Sequence, residues 1–189
     1  MDNKAQVGIG TLIIFIAMIL VAAIGASVIV QTSAKMQQQA MVTGEQTIKE
    51  ISTKLKVMSV VGFSNTTDKI NKLIVVVQLA SGSGEISLED ITLTYQSKDI
   101  YITGIKYNSS AEDNNSIPDF YKRVIKGDSD DFLEAGEIVE LHFWIEDSLP
   151  HPLDPDTRFE LILIPRYGTQ SIIRATTPGV FKYSYVPLV

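Results

Sequence analysis

An uncharged and almost wholly apolar segment near the N-terminus constrains this sequence more than any other feature. No charged side chain occurs from Ala5 to Ala34, and the twenty-four residues from Val7 to Val30 form the apolar centre of that stretch. As a helix, this centre would be about 36 Å long, enough to cross the hydrocarbon core of a bilayer. Asp2 and Lys4 precede this stretch, and all other charged residues follow it. The chain is therefore predicted to have two parts, an apolar helix and one globular domain.

Composition excludes some classes of partner and site. The formal net charge is -6, the sequence pI is about 4.9, and no basic cluster is present. Nucleic acid is therefore excluded as a partner, because its recognition needs clustered Lys and Arg. The absence of cysteine excludes a disulfide framework and a thiolate metal site.

The helix is predicted to continue beyond the apolar segment. Residues 31–59 contain no proline, and apolar residues recur there at helical spacing, namely Met36, Ala40, Ile48, Ile51, Leu55 and Met58. A helix from Leu12 to Ser59 would be about 70 Å long, more than twice the thickness of a hydrocarbon core. We therefore expect a helical part over 6–62, apolar over 7–30 and amphipathic over 31–60, and a second domain over 63–189.

Small residues within the apolar segment predict close packing of helices. Glycine and alanine leave shallow grooves that another helix backbone can approach, and large side chains beside them supply the knobs. The candidate packing residues are Gly8, Gly10, Leu12, Phe15, Leu20, Ala22, Gly25 and Ala26. A plain transmembrane anchor has a similar composition. A removable signal peptide fits less well, because the apolar run continues past a possible cleavage site at Gly25-Ala26-Ser27.

The N-terminal residues also carry a family resemblance. Met1–Ala5, which precede the apolar segment, resemble the class III signal of type IV pilins and archaellins, whose apolar helix stays on the mature protein. The tract Gly8–Ile29, followed by Gln31–Thr47, resembles the N-terminal region of archaellins almost residue for residue. Bacterial type IV pilins carry a glutamate at the fifth mature position, which here is Gly10. The resemblance is therefore closer to archaellins.

This resemblance implies a processing site and a function. The cut would fall between Ala5 and Gln6, after the basic Lys4, so that 1–5 is a short leader; a cut before Ala5 is the alternative. Membership of the family would imply a subunit of the archaellum filament used for swimming, held in the membrane before assembly and extracellular afterwards. Its partners would be copies of itself, paralogous archaellins, a signal-cleaving peptidase, and the secretion and motor machinery.

The second part of the sequence is predicted to be rich in β-strands. Short apolar or alternating segments recur between turn residues, and Ile91, Leu93 and Tyr95 alternate with threonines. The candidate strands are 72–80, 86–96, 100–107, 120–125, 138–145, 158–165, 168–175 and 181–186. We therefore predict an α+β fold, a long N-terminal helix followed by an Ig-like β-sandwich. This order of elements resembles that of archaellins.

Three Asn-x-Ser/Thr tripeptides, at Asn65, Asn108 and Asn114, lie in predicted turns or loops. One such tripeptide is common by chance, but their grouping in segments that would face solvent favours N-glycosylation. Archaellins are typically N-glycosylated as well. The alternative is three unmodified polar turns.

A run of carboxylates suggests a cation site. Asp128, Asp130, Asp131 and Glu137 supply the oxygen ligands that Ca²⁺ favours. Phe132 stands where the EF-hand pattern needs a third ligand, and a solvated acidic loop is the competing interpretation. We therefore expect no required cofactor, with a calcium ion and N-linked glycans as possible additions.

The sequence offers no recognisable catalytic set. Its two histidines are His142, beside Trp144 in a predicted strand, and His151, between two prolines. No Gly-x-Ser-x-Gly elbow, Walker motif or dinucleotide fingerprint accompanies them. We predict a structural protein. The alternatives are an adhesive type IV pilin-like subunit, which would expose a receptor-binding patch, and a membrane-anchored enzyme.

Overall fold

The computed structural model describes residues 2–64, 68–98, 100–111, 119–145 and 152–189, with side chains from Val7 onward. The chain separates into two compact units, Met1–Thr47 and Ile48–Val189. The first unit is helical, and the second contains the last helical turn and a β domain. The predicted α+β fold, a long N-terminal helix followed by a β-rich domain, is confirmed.

Helix α1 spans Asp2–Ser52. No proline interrupts it, and four of the hydroxyl groups within it donate hydrogen bonds to its own backbone. Thr11 and Thr32 donate hydrogen bonds to the carbonyl oxygens three or four residues earlier, at 2.9 and 2.8 Å. These bonds satisfy polar atoms that would otherwise be costly in an apolar environment.

The helix ends earlier than the sequence predicted. The expected continuation to Ser59, and the boundary at residue 62, are wrong because Leu55–Phe63 form a strand, β1. Leu55 is buried in the core of the β domain, whereas Met58 lies at a β-bulge and is 49% exposed. The bulge inserts one extra residue into the strand, so that the apolar residues Leu55 and Met58 are three positions apart. This is a spacing typical of a helix.

Eleven strands are present among the described residues. They are β1 Leu55–Phe63, β2 Lys72–Leu79, β3 Ile86–Ser87, β4 Ile91–Ser97, β5 Ile100–Tyr107, β6 Asp119–Lys126, β7 Phe132–Leu133, β8 Ile138–Trp144, β9 Arg158–Pro165, β10 Ser171–Thr176 and β11 Tyr185–Pro187. The predicted strand 86–96 is divided by a short 3₁₀ helix, Leu88–Asp90, into β3 and β4. Strands β1 and β7 were not predicted.

Nine of these strands form one curled sheet in the order β10-β9-β4-β5-β6-β8-β2-β1-β11, and β3 pairs with β7 separately. The sheet is antiparallel except between β5 and β6, which are parallel and share the pairs Lys106↔Asp119 and Tyr107↔Phe120. Curling brings β10 near β1, where the Ser171 hydroxyl donates a 2.5 Å hydrogen bond to the Leu55 carbonyl. The β-sandwich predicted from the strand pattern is thus built from a continuous sheet.

Aromatic residues lie at the centre of the core that the sheet encloses. Tyr95 lies 6.1 Å from Phe143 and 6.4 Å from Phe159 between ring centroids, and all three are at most 2% exposed. The apolar positions predicted in β4 face the core, because Ile91 and Leu93 are also fully buried, but the intervening Thr94 is buried as well, at 4% exposure. Burial of this apolar surface stabilises the domain without any disulfide.

Candidate assembly helix and surface sites

The apolar half of α1 has no covering within its own chain. Every described side chain from Val7 to Val30 is exposed, from 49% at Ile16 to 70% at Val21 among the large apolar residues. The mean hydropathy of its most apolar window reaches 3.0, and its length suffices to span a membrane. A surface that is apolar on all sides needs lipid or other protein around it.

The small residues of α1 are not explained by packing inside the subunit. A Cβ atom built on Gly8, Gly10 or Gly25 would meet nothing within 4 Å. Glycine inside a helix costs about 1 kcal/mol relative to alanine, so these positions need a reason outside the chain. Ala22 shares a helix face with Gly25 and with Ala26, which follow it by three and four residues.

The large candidate packing residues flank these small ones. Leu12, Phe15 and Leu20 are 59%, 63% and 58% exposed. All eight candidate packing residues therefore lie on the surface of one continuous helix. Contact with a second helix at these positions stays a prediction. Lys4, Ala5 and Gln6 lie in the helical backbone of α1, and cleavage beside them also stays a prediction.

The β-domain unit begins with a hydrogen-bonded helix end that the sequence did not reveal. The hydroxyl of the buried Ser83 donates to the Ser52 carbonyl at 3.0 Å and accepts from the Lys54 amide at 3.1 Å. The Thr53 carbonyl accepts from the Thr169 amide at 3.1 Å. These bonds satisfy backbone groups that the helix leaves without an intrahelical partner.

Gly168 permits the contact beside Thr53. Its φ is +101°, and an added Cβ would lie 2.1 Å from the Thr53 carbonyl oxygen. Only glycine fits both the backbone angle and the space. In the sequence, Tyr167-Gly168 between two candidate strands indicates a turn, but it gives no sign of this close approach.

One predicted glycosylation site can be described. The Asn108 Oδ1 accepts a hydrogen bond from the Ser110 amide at 3.0 Å, and its Nδ2 donates to Asp119 Oδ2 at 2.9 Å. Asn108 is half-buried and follows β5, while Ser109 and Ser110 are exposed in a turn. Asn65, Asn114 and His151 lie outside the described residues.

The acidic loop uses its carboxylates to hold its own backbone. Glu137 accepts hydrogen bonds from the amides of Asp128 and Glu134, at 3.0 and 2.9 Å. Asp130 accepts from the Phe132 amide at 3.0 Å. Among the described residues, no group of three or more His, Asp or Glu side chains is placed to hold a metal ion. Calcium binding here stays a prediction that this arrangement does not favour.

Asp131 interacts with side chains outside the loop. Its Oδ1 accepts a hydrogen bond from the Tyr107 hydroxyl at 2.6 Å and lies 3.2 Å from the Lys122 Nζ. The hydrogen bond from Tyr107, followed by the contact with Lys122, lowers the pKa of Asp131. Burial, followed by the same carboxylate, raises the pKa of Tyr107. The sequence did not single out Lys122 or Tyr107.

His142 lies on strand β8, in a segment predicted as a strand, and it is buried, at 4% exposure. Its ring stacks on Tyr121 with centroids 4.9 Å apart, and its Nε2 lies 3.0 Å from Glu140 Oε2. Trp144 is half-buried, and the Lys72 ammonium lies 4.6 Å from the centroid of its indole. These contacts make a packed aromatic and ionic cluster on the sheet.

Comparison with protein families gives a match that spans most of the sequence. The family model for archaeal-type flagellin matches residues 5–175. Flagellin B4 of Pyrococcus abyssi is 33% identical to this chain, and the alignment covers 100% of both. Flagellin B2 of Halobacterium salinarum is 30% identical over 96% of this chain and 92% of its own length.

Solved structures share the fold. The archaeal flagellum of Methanospirillum hungatei strain JF1 matches with a TM-score of 0.71 at 16% identity, over 96% of this chain and 99% of that one. The crystal structure of archaeal flagellin FlaB1 from Methanocaldococcus jannaschii matches with a TM-score of 0.62 at 20% identity, covering 72% and 96%. The first of these matches covers nearly the whole chain and therefore includes both the helix and the β domain.

Proposed function

Because this chain belongs to the archaeal-type flagellin family, we propose that its copies polymerise by packing the apolar half of α1 into the core of a filament. The chain is a structural subunit of the archaellum filament, an extracellular assembly of flagellin copies that serves motility. It is not an enzyme.

The exposure of α1 is the observation that carries the packing proposal. Its side chains from Val7 to Val30 lie in water unless lipid or neighbouring copies cover them. Burying ten large apolar side chains, at about 2 kcal/mol each, would contribute about 20 kcal/mol per subunit. That gain offsets the entropy lost when a subunit joins an ordered polymer.

Close approach of the helices would depend on the small residues. In this proposal Gly8, Gly10, Ala22, Gly25 and Ala26 accept neighbouring backbones, while the large apolar residues fill the gaps between helices. Support comes from the open space around the three glycines, since nothing inside the subunit requires them. Small residues are the usual means by which apolar helices approach each other.

Before assembly, the same segment would hold the subunit in the membrane. A peptidase would cut between Ala5 and Gln6, and the secretion machinery would then move the helix from lipid to the growing filament. Support comes from the basic Lys4 before a segment without charge. Paralogous archaellins with a similar helix could enter the same filament, which the motor machinery would rotate.

Glycans at Asn65, Asn108 and Asn114 would cover the outer domain. For Asn108, support comes from the exposed turn formed by Ser109 and Ser110 and from the side-chain hydrogen bond that shapes it. A glycan would leave Asn108 Nδ2 one hydrogen, enough for its bond to Asp119.

A deletion strain tests the function. Loss of this chain is expected to abolish swimming while leaving surface attachment unchanged, and the wild-type chain supplied in trans should restore swimming. Loss of attachment with normal swimming would instead identify an adhesive pilin-like subunit. Filaments sheared from the complemented strain and imaged by cryo-electron microscopy should contain α1 in a helical core; a core without it would contradict the packing proposal.

A further inference from the structure

The ammonium group of Lys122 lies inside the acidic loop. It donates hydrogen bonds to the carbonyl oxygens of Ser129, at 3.0 Å, and Asp130, and it lies 3.2 Å from Asp131 Oδ1. An ammonium group has three hydrogens, and these three oxygens can accept one each. The side chain of Lys122 is 11% exposed, so its charge is largely withdrawn from water.

These three oxygens are the kind of ligands that a hard cation takes. Calcium binds carboxylate and backbone carbonyl oxygens, and loops that hold it commonly alternate the two. Three other carboxylates of the loop are engaged with its backbone, because Glu137, Asp130 and Asp128 accept hydrogen bonds from loop amides. The carbonyl oxygens of Ser129 and Asp130 and the Asp131 carboxylate therefore remain to bind a positive charge, and the Lys122 ammonium binds all three.

We propose that the Lys122 ammonium is the built-in cation of this loop, and that it takes the place of a hard divalent cation such as Ca²⁺. A loop held in this way keeps its conformation whatever the concentration of divalent cations outside the cell. The cation is covalently attached, so it cannot dissociate or be chelated. Removing the ammonium would leave two carbonyl oxygens and a carboxylate facing the space it occupied, which a free Ca²⁺ ion could enter.

Strand β6 explains why this lysine reaches the loop. Lys122 and Lys126 lie on the same strand, on either side of a β-bulge between Val124 and Lys126. Among the described residues, loop oxygens surround the amine of Lys122, while Lys126 is exposed. Tyr107, from the neighbouring strand β5, donates to the same Asp131 oxygen and orients it. The site is therefore assembled from two strands and the loop, with the lysine at its centre.

Thermal unfolding of the full-length chain in detergent tests the proposal. Trp144 is the one tryptophan of the sequence and lies in the β domain, so its fluorescence reports unfolding of that domain. The wild-type midpoint should be the same in calcium and in chelator. For Lys122→Met, the midpoint in chelator should fall by about 5 °C, because charge-assisted hydrogen bonds are lost, and millimolar Ca²⁺ should restore most of it.

Terbium luminescence gives a second readout. Tb³⁺ substitutes for Ca²⁺ and is excited through a nearby tyrosine, and the Tyr107 hydroxyl is 2.6 Å from the Asp131 carboxylate. Saturable emission is expected from Lys122→Met and not from the wild type. Lys126→Met, the matched control, should behave as the wild type in both measurements, since its amine holds no loop oxygen.

Three results would overturn the proposal. The first is a wild-type chain that gains stability or terbium emission from cations. The second is a Lys122→Met chain that melts like the wild type and whose midpoint does not change with calcium. The third is a Lys122→Arg chain that gains the calcium response of the uncharged variants, because arginine keeps the positive charge. If Lys122→Met does not accumulate in cells, Lys122→Gln replaces it as the uncharged variant.

Discussion

The side-chain hydroxyl of Ser83 donates a hydrogen bond to the carbonyl oxygen of Ser52, the last residue of helix α1. The Ser83 hydroxyl oxygen also accepts a hydrogen bond from the Lys54 amide, at 3.1 Å. One buried hydroxyl thus serves two backbone groups, on either side of Thr53, where the chain changes from helix to strand. Where a helix changes to a strand, some backbone amides and carbonyls have no backbone hydrogen-bond partner. The Ser83 side chain supplies the missing partner here.

Replacing Ser83 with alanine is therefore expected to destabilise the β domain. Two backbone groups would lose a buried partner, and the free energy of unfolding should fall by about 1–3 kcal/mol. Urea unfolding followed by Trp144 fluorescence measures this change. Ser81→Ala, at an exposed position of the same turn, is the control and should shift the midpoint little. Equal effects of the two substitutions would contradict the role of the hydroxyl.

Gly168→Ala should be more disruptive than its size suggests. The new Cβ would meet the Thr53 carbonyl at 2.1 Å, and the backbone angle is one that alanine adopts at a cost. We expect a loss of about 2–4 kcal/mol in the free energy of unfolding. Gly84→Ala, where an added Cβ meets nothing within 4 Å, should be nearly neutral. Both are measured by the same urea titration.

Gly25→Leu and Ala22→Leu should block filament growth while leaving membrane insertion intact. A leucine at either position fills the groove that another helix would enter, but it stays compatible with lipid. Fractionation of cell membranes and electron microscopy of the cell surface separate the two steps. Ile24→Leu, which keeps the volume of the side chain, should form normal filaments. Normal filaments from both larger substitutions would refute the packing proposal.

Acid should weaken the domain partly through Glu160. Arg174 donates two hydrogen bonds of 3.0 Å to this carboxylate, which lowers its pKa below the ordinary value for glutamate. The pair therefore contributes fully above the pKa of the unfolded chain, about 4.3, and its contribution is lost as the pH falls through the lower folded value. Glu160→Gln should show a smaller loss of thermal stability than the wild type between about pH 6 and about pH 3.

The control for this pH experiment is Asp68→Asn, an exposed carboxylate outside the pair. It should keep the acid sensitivity of the wild type. An acid profile of Glu160→Gln that superimposes on the wild type would show that the ion pair has no part in the pH dependence. Added salt should also reduce the difference between Glu160→Gln and the wild type, because the pair lies at the surface.

Mass spectrometry of sheared filaments should find a glycan on Asn108. Trypsin leaves this residue in the same peptide as Asn114, between Lys106 and Lys122, but cleavage after Glu112 separates the two. The peptide that contains Asn108 should lose its added mass in the Ser110→Ala variant, which destroys the acceptor tripeptide, and keep it in Ser109→Ala. An unmodified peptide in wild-type filaments would leave Asn108 as a plain turn residue.

The sequence was most informative where one physical property extends over many residues. A long run without charge predicted α1, and strict alternation predicted β4, because Ile91, Leu93 and Tyr95 all face the core. Both patterns can be recognised from residues that are close together in the sequence. Local periodicity failed where β1 begins, since a bulge at Met58 gives a strand the apolar spacing of a helix.

Other features depended on contacts that no local pattern encodes. Lys122 reaches the acidic loop only because β6 leads into it, and the sequence presents it as one more lysine. Ser83 and Gly168 meet residues 52–54 of the chain, about 30 and over 100 positions away. The single curled sheet likewise follows from pairing β4 with β9, which are far apart in the sequence.

The narrow parallel seam between β5 and β6 has a mechanical consequence. These strands share two registered residue pairs, against eight between β1 and β2. Bonds that bear a load together divide the force among them, so a seam with few bonds ruptures at a lower force. Viscous drag acts on the outside of a rotating filament, where our packing proposal would place the β domains. Among the described strands, we expect tension across the sheet to open it first at β5 and β6, leaving β4 with β9 and β2 with β8 still paired.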